Sequence, residues 1–78
     1  PNPLRASASI NYDLNTPSFV SIKVFDVSGR LVDELVNSLQ EASYYTELWD
    51  ASELELGIYV IEIHINKTVV ARERVVKQ

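Results

Sequence analysis

The chain has no cysteine and no methionine, one histidine and two glycines in 78 residues. Without cysteine there is no disulfide frame and no thiolate metal site, a composition compatible with a reducing or an oxidising compartment. With a single histidine as well, a zinc ligand set does not have enough members, so no cofactor or metal is expected. Basic residues are also few: seven Lys and Arg against eleven Asp and Glu give a formal charge of −4. The basic residues are scattered, which argues against a nucleic-acid or anionic-membrane surface, since such partners are held by clustered cations. The apolar residues fall in short runs, none long enough for a spanning helix. A chain of this length makes one small domain, burying about 60% of its unfolded surface. It opens on Pro1 without a signal peptide, so it reads as a module excised from a longer protein.

What is present is a succession of strand patterns. The organising stretch is 19–36, FVSIKVFDVSGRLVDELV, in which Val20, Ile22 and Val24 alternate with Ser21 and Lys23. Asp26, Ser28 and Gly29 then supply turn chemistry before Leu31, Val32, Leu35 and Val36 resume, which predicts a hairpin with a short glycine-containing loop. Ahead of it lie the stiff opening Pro1-Asn2-Pro3, read as a linker end along a sheet edge, and a half-buried strand over 10–14. After it come a polar connection over 37–42, where Leu35, Val36 and Leu39 allow a helical turn, and a strand over 43–49. That strand leaves two faces open, Tyr45-Glu47-Trp49 or Tyr44-Thr46-Leu48, and a bulge turning both Leu48 and Trp49 inward would resolve the conflict. Asp50 opens a loop in which Leu54 or Leu56 tucks under, and Gly57 marks re-entry into a strongly β-prone run over 58–65 with Tyr59, Ile61, Ile63 and Ile65 on one face. Asn66-Lys67 turns the chain into a last strand over 68–76. The expected fold is an all-β, antiparallel sandwich of six to seven strands, with 10–14 and 43–49 in one sheet and the two hairpins in the other. A small closed barrel is the alternative.

These residues resemble a known family. Pro1-Asn2-Pro3, the strand 10–14, the run 20–32, Trp49-Asp50-Ala51-Ser52, Gly57-Ile58-Tyr59 and the ending Val75-Val76-Lys77 are similar, in that order, to the C-terminal sorting domain of type IX secretion cargo. The flagellar hook-capping protein's immunoglobulin-like module shares the Asp-x-x-Gly hairpin and the Gly-x-Tyr strand. The resemblance implies an immunoglobulin-like sandwich, residues 1–78, at the end of a large exported protein of a Gram-negative bacterium. It would be read by the secretion machinery and often removed by a cell-surface sortase, leaving the cargo at the outer-membrane surface or outside the cell. The resemblance also makes Val75, Val76 and Lys77 sorting-signal candidates. The chain departs from the family at Leu4-Arg5-Ala6, where Phe-Asn-Pro is frequent, at Glu47 and at Leu56.

Against that reading stand the catalytic possibilities. The pairs Glu53/Glu55 and Asp33/Glu34 sit in polar segments where nothing would drive their pKa values apart, as acid–base work requires. His64 lacks partners for a triad or a metal. Asp26 and Asp50, each at a strand end before a turn, suit backbone N–H acceptance better than calcium, which needs six or more oxygens. Taken without the family, Lys77 would be a solubilising charge at a strand end. If Val24 and Ile61 face the core, then Phe25, Ile58, Val60 and Val70 face outward and form an apolar surface that a second copy, the preceding domain or the secretion machinery would cover. The functional expectation is a non-catalytic sorting signal. The alternative is an accessory module that packs against a neighbouring domain of a secreted enzyme or a hook-capping assembly.

Overall fold

A computed structural model describes the backbone of residues 2–4 and the chain from Ser7 to Gln78. The expectation for Pro1, and the departures at Arg5 and Ala6, lie outside the described residues. The described residues form seven strands: β1 Asn2–Leu4, β2 Ser7–Leu14, β3 Ser18–Asp26, β4 Leu31–Gln40, β5 Ser43–Asp50, β6 Gly57–Ile65 and β7 Thr68–Lys77. They form a five-stranded sheet in the order β1-β7-β6-β3-β4 and a two-stranded sheet of β2 with β5. All pairings are antiparallel except that of β1 with β7, which is parallel. The closed barrel is thus not formed; two sheets pack face to face.

Alternation decides what fills the space between them. Val20, Ile22 and Val24 of β3, Tyr59 and Ile61 of β6, and Val75 of β7 point inward from the larger sheet. The smaller sheet contributes Leu14 and Trp49, with Ala8, Ile10, Tyr12 and Tyr45 packed at the margin. Trp49 is fully buried and meets Tyr59 edge-on at 5.7 Å between ring centroids. Its burial is worth about 3–5 kcal/mol against alanine, enough to fix the phase of β5. Tyr12 and Tyr45 stack at 5.3 Å across β2 and β5, and the Tyr12 hydroxyl donates to Gln40 Oε1 at 2.7 Å, bridging the sheets.

Two sequence expectations are corrected. Residues 37–40 continue β4 instead of turning helically, because β3 offers them a ladder in which Phe19 lies opposite Leu39 and Ser18 opposite Gln40. Paired this way, Leu39 faces solvent at 71% exposure, so the helix-like spacing of 35, 36 and 39 has no buried face to serve. Nor does a bulge bring Leu48 inward. β2 and β5 pair without a register shift, Leu48 remains 63% exposed, and Glu47 is half-buried beside Tyr45 and Trp49. In the loop that follows, Leu54 packs against the core and Leu56 protrudes.

The two hairpin turns of the larger sheet are built differently. Asn66 and Lys67 both take positive φ, 50° and 69°, the mirror-image turn that suits strand twist. Asn66 also clasps β3: its N–H donates to the Phe19 carbonyl at 2.8 Å, and its Oδ1 accepts from the Phe19 N–H at 2.9 Å. In the 26–30 turn the positive φ, 88°, falls on Gly29. A Cβ there would meet nothing within 4 Å, so any cost of substitution is conformational and not steric. Gly29→Val is therefore expected to destabilise the domain by about 1–3 kcal/mol. The denaturant midpoint, followed by fluorescence of the single tryptophan, is the check; an unchanged midpoint would mean the turn does not require the left-handed conformation.

Candidate functional site

The end of β7 is held on both edges and from within the sandwich. Over residues 75–77, β7 has β6 on one side and β1 on the other, so the terminal stretch is an interior strand with ladder partners along both edges. Val75 pairs with Tyr59 and points into the core at 3% exposure, while Val76 lies opposite Ile58 on the outer face. Lys77 returns inward, opposite Gly57, where the absence of a side chain leaves the way open. There it is only 7% exposed.

Its ammonium has no carboxylate partner among the described residues. Instead Nζ donates to three backbone carbonyls of the loop after β5: Ala51 and Leu54 at 2.5 Å and Ser52 at 3.2 Å. An ammonium has three hydrogens and no acceptor, so the three carbonyls satisfy it in full. The same loop is tightened by the Leu54 N–H donating to the Ala51 carbonyl at 3.0 Å, and Asp50 starts it by accepting from the Ser52 N–H at 3.0 Å. That backbone bond is the main reason the Asp50 carboxyl is held below its usual range. A solubilising role for Lys77 is thereby corrected. An exposed lysine would hydrate freely, whereas this one leaves solvent and joins the last strand to the 51–54 turn.

Asp26 organises the other turn. Its Oδ1 accepts from Ser28 Oγ at 2.7 Å, from the Ser28 N–H at 2.9 Å and from the Arg30 N–H at 3.0 Å, while Oδ2 takes Arg30 Nε at 3.1 Å. The Ser28 hydroxyl, followed by the Arg30 N–H, lowers its pKa from 3.8 to about 2. Among the described residues no group of three or more His, Cys, Asp or Glu could hold a metal. His64 stands on the outer face, with Nε2 2.8 Å from Glu62 Oε1, and Arg72 grips Glu62 Oε2 through Nε and Nη2 at 3.0 and 2.8 Å. His64, then Arg72, hold the Glu62 carboxyl below its ordinary range. Gly57, at φ 149°, leads into Tyr59, whose hydroxyl donates to the Glu55 carbonyl at 2.7 Å and closes the loop from the other end.

The register places Phe25 opposite Val60, Val60 opposite Arg74, and Ile58 opposite Val76 on the outer face. Phe25, Ile58 and Val60 line an open groove of about 520 Å³. Val70 is not part of it: the ladder jumps between Ile63 and His64, leaving Val70 as the extra residue of a bulge, 53% exposed.

Against this geometry, the secretion system C-terminal sorting domain family (Por_Secre_tail) matches residues 1–78. The chain belongs to this family. No curated protein and no solved structure matches it. The sorting domain is the C-terminal signal of type IX secretion, which interacts with the secretion machinery and marks its carrier for the cell surface or the extracellular space. A sorting domain of this kind is not itself a catalyst. What sequence reasoning missed was the seat of Lys77. The signal was available in part: a lysine in phase with inward Val75, opposite a glycine, and a polar loop rich in backbone acceptors just after the buried tryptophan.

Two outcomes follow for this site. Lys77→Met keeps the apolar stem but strands the three carbonyls, and should cost about 2 kcal/mol or more in urea or thermal unfolding. Equal stability would mean that the ammonium contributes no net stabilisation. For Asp26 the folded pKa lies below the unfolded one, so its stabilisation is complete above about pH 4 and fades as the pH falls toward 2. Asp26→Asn should remove the part of the acid-unfolding curve in that window while leaving its shape above pH 5 unchanged. An identical curve for the variant would refute the assignment.

Proposed function

We propose that the type IX machinery reads this sorting domain as a folded object, in which Val75, Val76 and Lys77 act by completing the sandwich and not as a loose peptide. The observation that carries the reading is the burial of Val75 and Lys77, with the Lys77 ammonium held by carbonyls of the 51–54 loop. A receptor reaching those side chains would first have to unfold the end of β7. What the folded domain offers instead is the exterior of the completed sandwich, with Val76 on the outward side at the end of β7. Residues 1–78 are taken as one domain, the C-terminal module of a larger secreted protein. Because β1 is already paired into the sheet, a surface sortase, as a second partner, would act on chain outside the sandwich.

A second reading, an accessory module packed against a neighbouring domain, draws support from the apolar groove of the outer face, which would suit such packing. The two readings separate in an export assay with a reporter fused ahead of the domain in a host with type IX secretion. On the sorting reading the intact domain directs export, removal of residues 75–78 abolishes it, and across point variants export follows the folded fraction measured by circular dichroism. Undiminished export of a folded truncation would promote the accessory reading. Export by a variant that does not fold would refute recognition of a folded surface.

A further inference from the structure

The outer face and the loop after β5 are complementary in both shape-forming and charged groups. The groove has an apolar floor of Phe25, Ile58 and Val60, with Arg72 and Arg74 along one wall; its two carboxylates, Asp26 and Glu62, are already paired with Arg30 and Arg72. Arg72 is neutralised by Glu62, but Arg74 has no counter-ion among the described residues. The loop over residues 53–56, sequence ELEL, carries Glu53 and Glu55, likewise without partners for their carboxylates, and ends in Leu56, a large side chain left 71% exposed. Loop and groove lie at the same end of the domain: residues 53–57 border the 26–30 turn, whose Val27, 74% exposed, is also part of the groove wall. Apolar tips beside an apolar groove, on a chain whose net charge is −4, are an unusual placement for surface that stays in water.

We propose that this face binds a second copy of the chain, each copy inserting Leu56 into the Phe25–Val60 groove of the other and setting Glu55 against its Arg74. The adjacency of loop and groove is what selects a second copy over an unrelated partner. A two-fold axis beside the 26–30 turn satisfies both contacts at once, as an isologous interface requires, and closes the assembly at two. Charge complementarity points the same way, since Arg74 in the groove and Glu53 and Glu55 on the loop have no counter-ions among the described residues. No strand leaves its own sandwich in this arrangement, so the β1–β7 clamp and the seat of Lys77 are undisturbed.

Sedimentation equilibrium of the 78-residue chain tests it. The domain should associate to a dimer and no further, and Val60→Lys or Leu56→Glu should weaken that association by about tenfold or more. Thermal midpoints should barely move, because neither side chain is in the core. The charge contact has a sharper test. Arg74→Glu and Glu55→Arg should each weaken self-association, and an equimolar mixture of the two variants should recover it as a heterodimer, because in that pair both contacts again join opposite charges. Self-association that ignores Val60 and Leu56, or a chain that stays monomeric at millimolar concentration, would overturn the proposal. So would two charge variants that do not rescue one another, which would show that the groove meets something other than the 53–56 loop.

Discussion

The arrangement depends on a lysine ammonium buried at the end of the last strand. Removing such a group from water costs several kcal/mol unless its hydrogens find acceptors, and here all three do, on one short loop. The consequence is mutual. Lys77 ties down three carbonyls of the loop over residues 51–54, and fraying the end of β7 would take their donor away. Because Ala51 directly follows Asp50 at the end of β5, this contact joins the last strand of the large sheet to the small sheet as well. The hydroxyl bridge from Tyr12 to Gln40 does the same between β2 and β4.

A second constraint is the mismatch in width. Five strands face two, so the inner side of the large sheet is covered best beneath Trp49 and less well toward β7, where Ala71 and Glu73 remain exposed. A small domain with little area to bury concentrates its packing: Trp49, Ile22, Val20 and Val24 form the fully buried centre, and the remaining order comes from directed bonds at the turns. Asp26 and Asn66 each make two or more such bonds, which fixes the hairpin ends where the apolar packing has run out. On the proposed reading, sorting rests on a surface whose shape is set from within.

Much of this was legible in the residues. Alternation identified the two hairpins, the division of strands between sheets, and the shared face of Tyr59, Ile61, Ile63 and Ile65, because period two with β-branched side chains admits few other readings; the packing shows that this face is the inward one. The family motifs identified the sorting domain. Where sequence reasoning went astray, a pairing partner decided the matter. Residues 37–40 look in isolation like a polar connection with room for a helical turn, and become strand because β3 is long enough to pair with them. Leu48 looks like core by hydropathy and is solvent-facing because Trp49, the larger group, claims the phase. Lys77 looks like a surface charge because charge is the first thing a composition shows, while its acceptors lie more than twenty positions away and are backbone atoms that carry no sequence signature. β1 escaped as a parallel strand for a related reason: three residues contain no period to read.

The central claim is that the closing residues of the sorting domain are structure before they are signal. Native-state hydrogen exchange at residues 75–77 tests it most directly, because chain ends exchange freely unless they are tied into the fold. These amides should be protected to within about tenfold of those at the centre of β3 and β6, and protection should fall at residues 51–54 and 75–77 together in Lys77→Met. Exchange at residues 75–77 as fast as in an unstructured peptide, with the rest of the domain protected, would contradict it and return the ending to the status of a free tail.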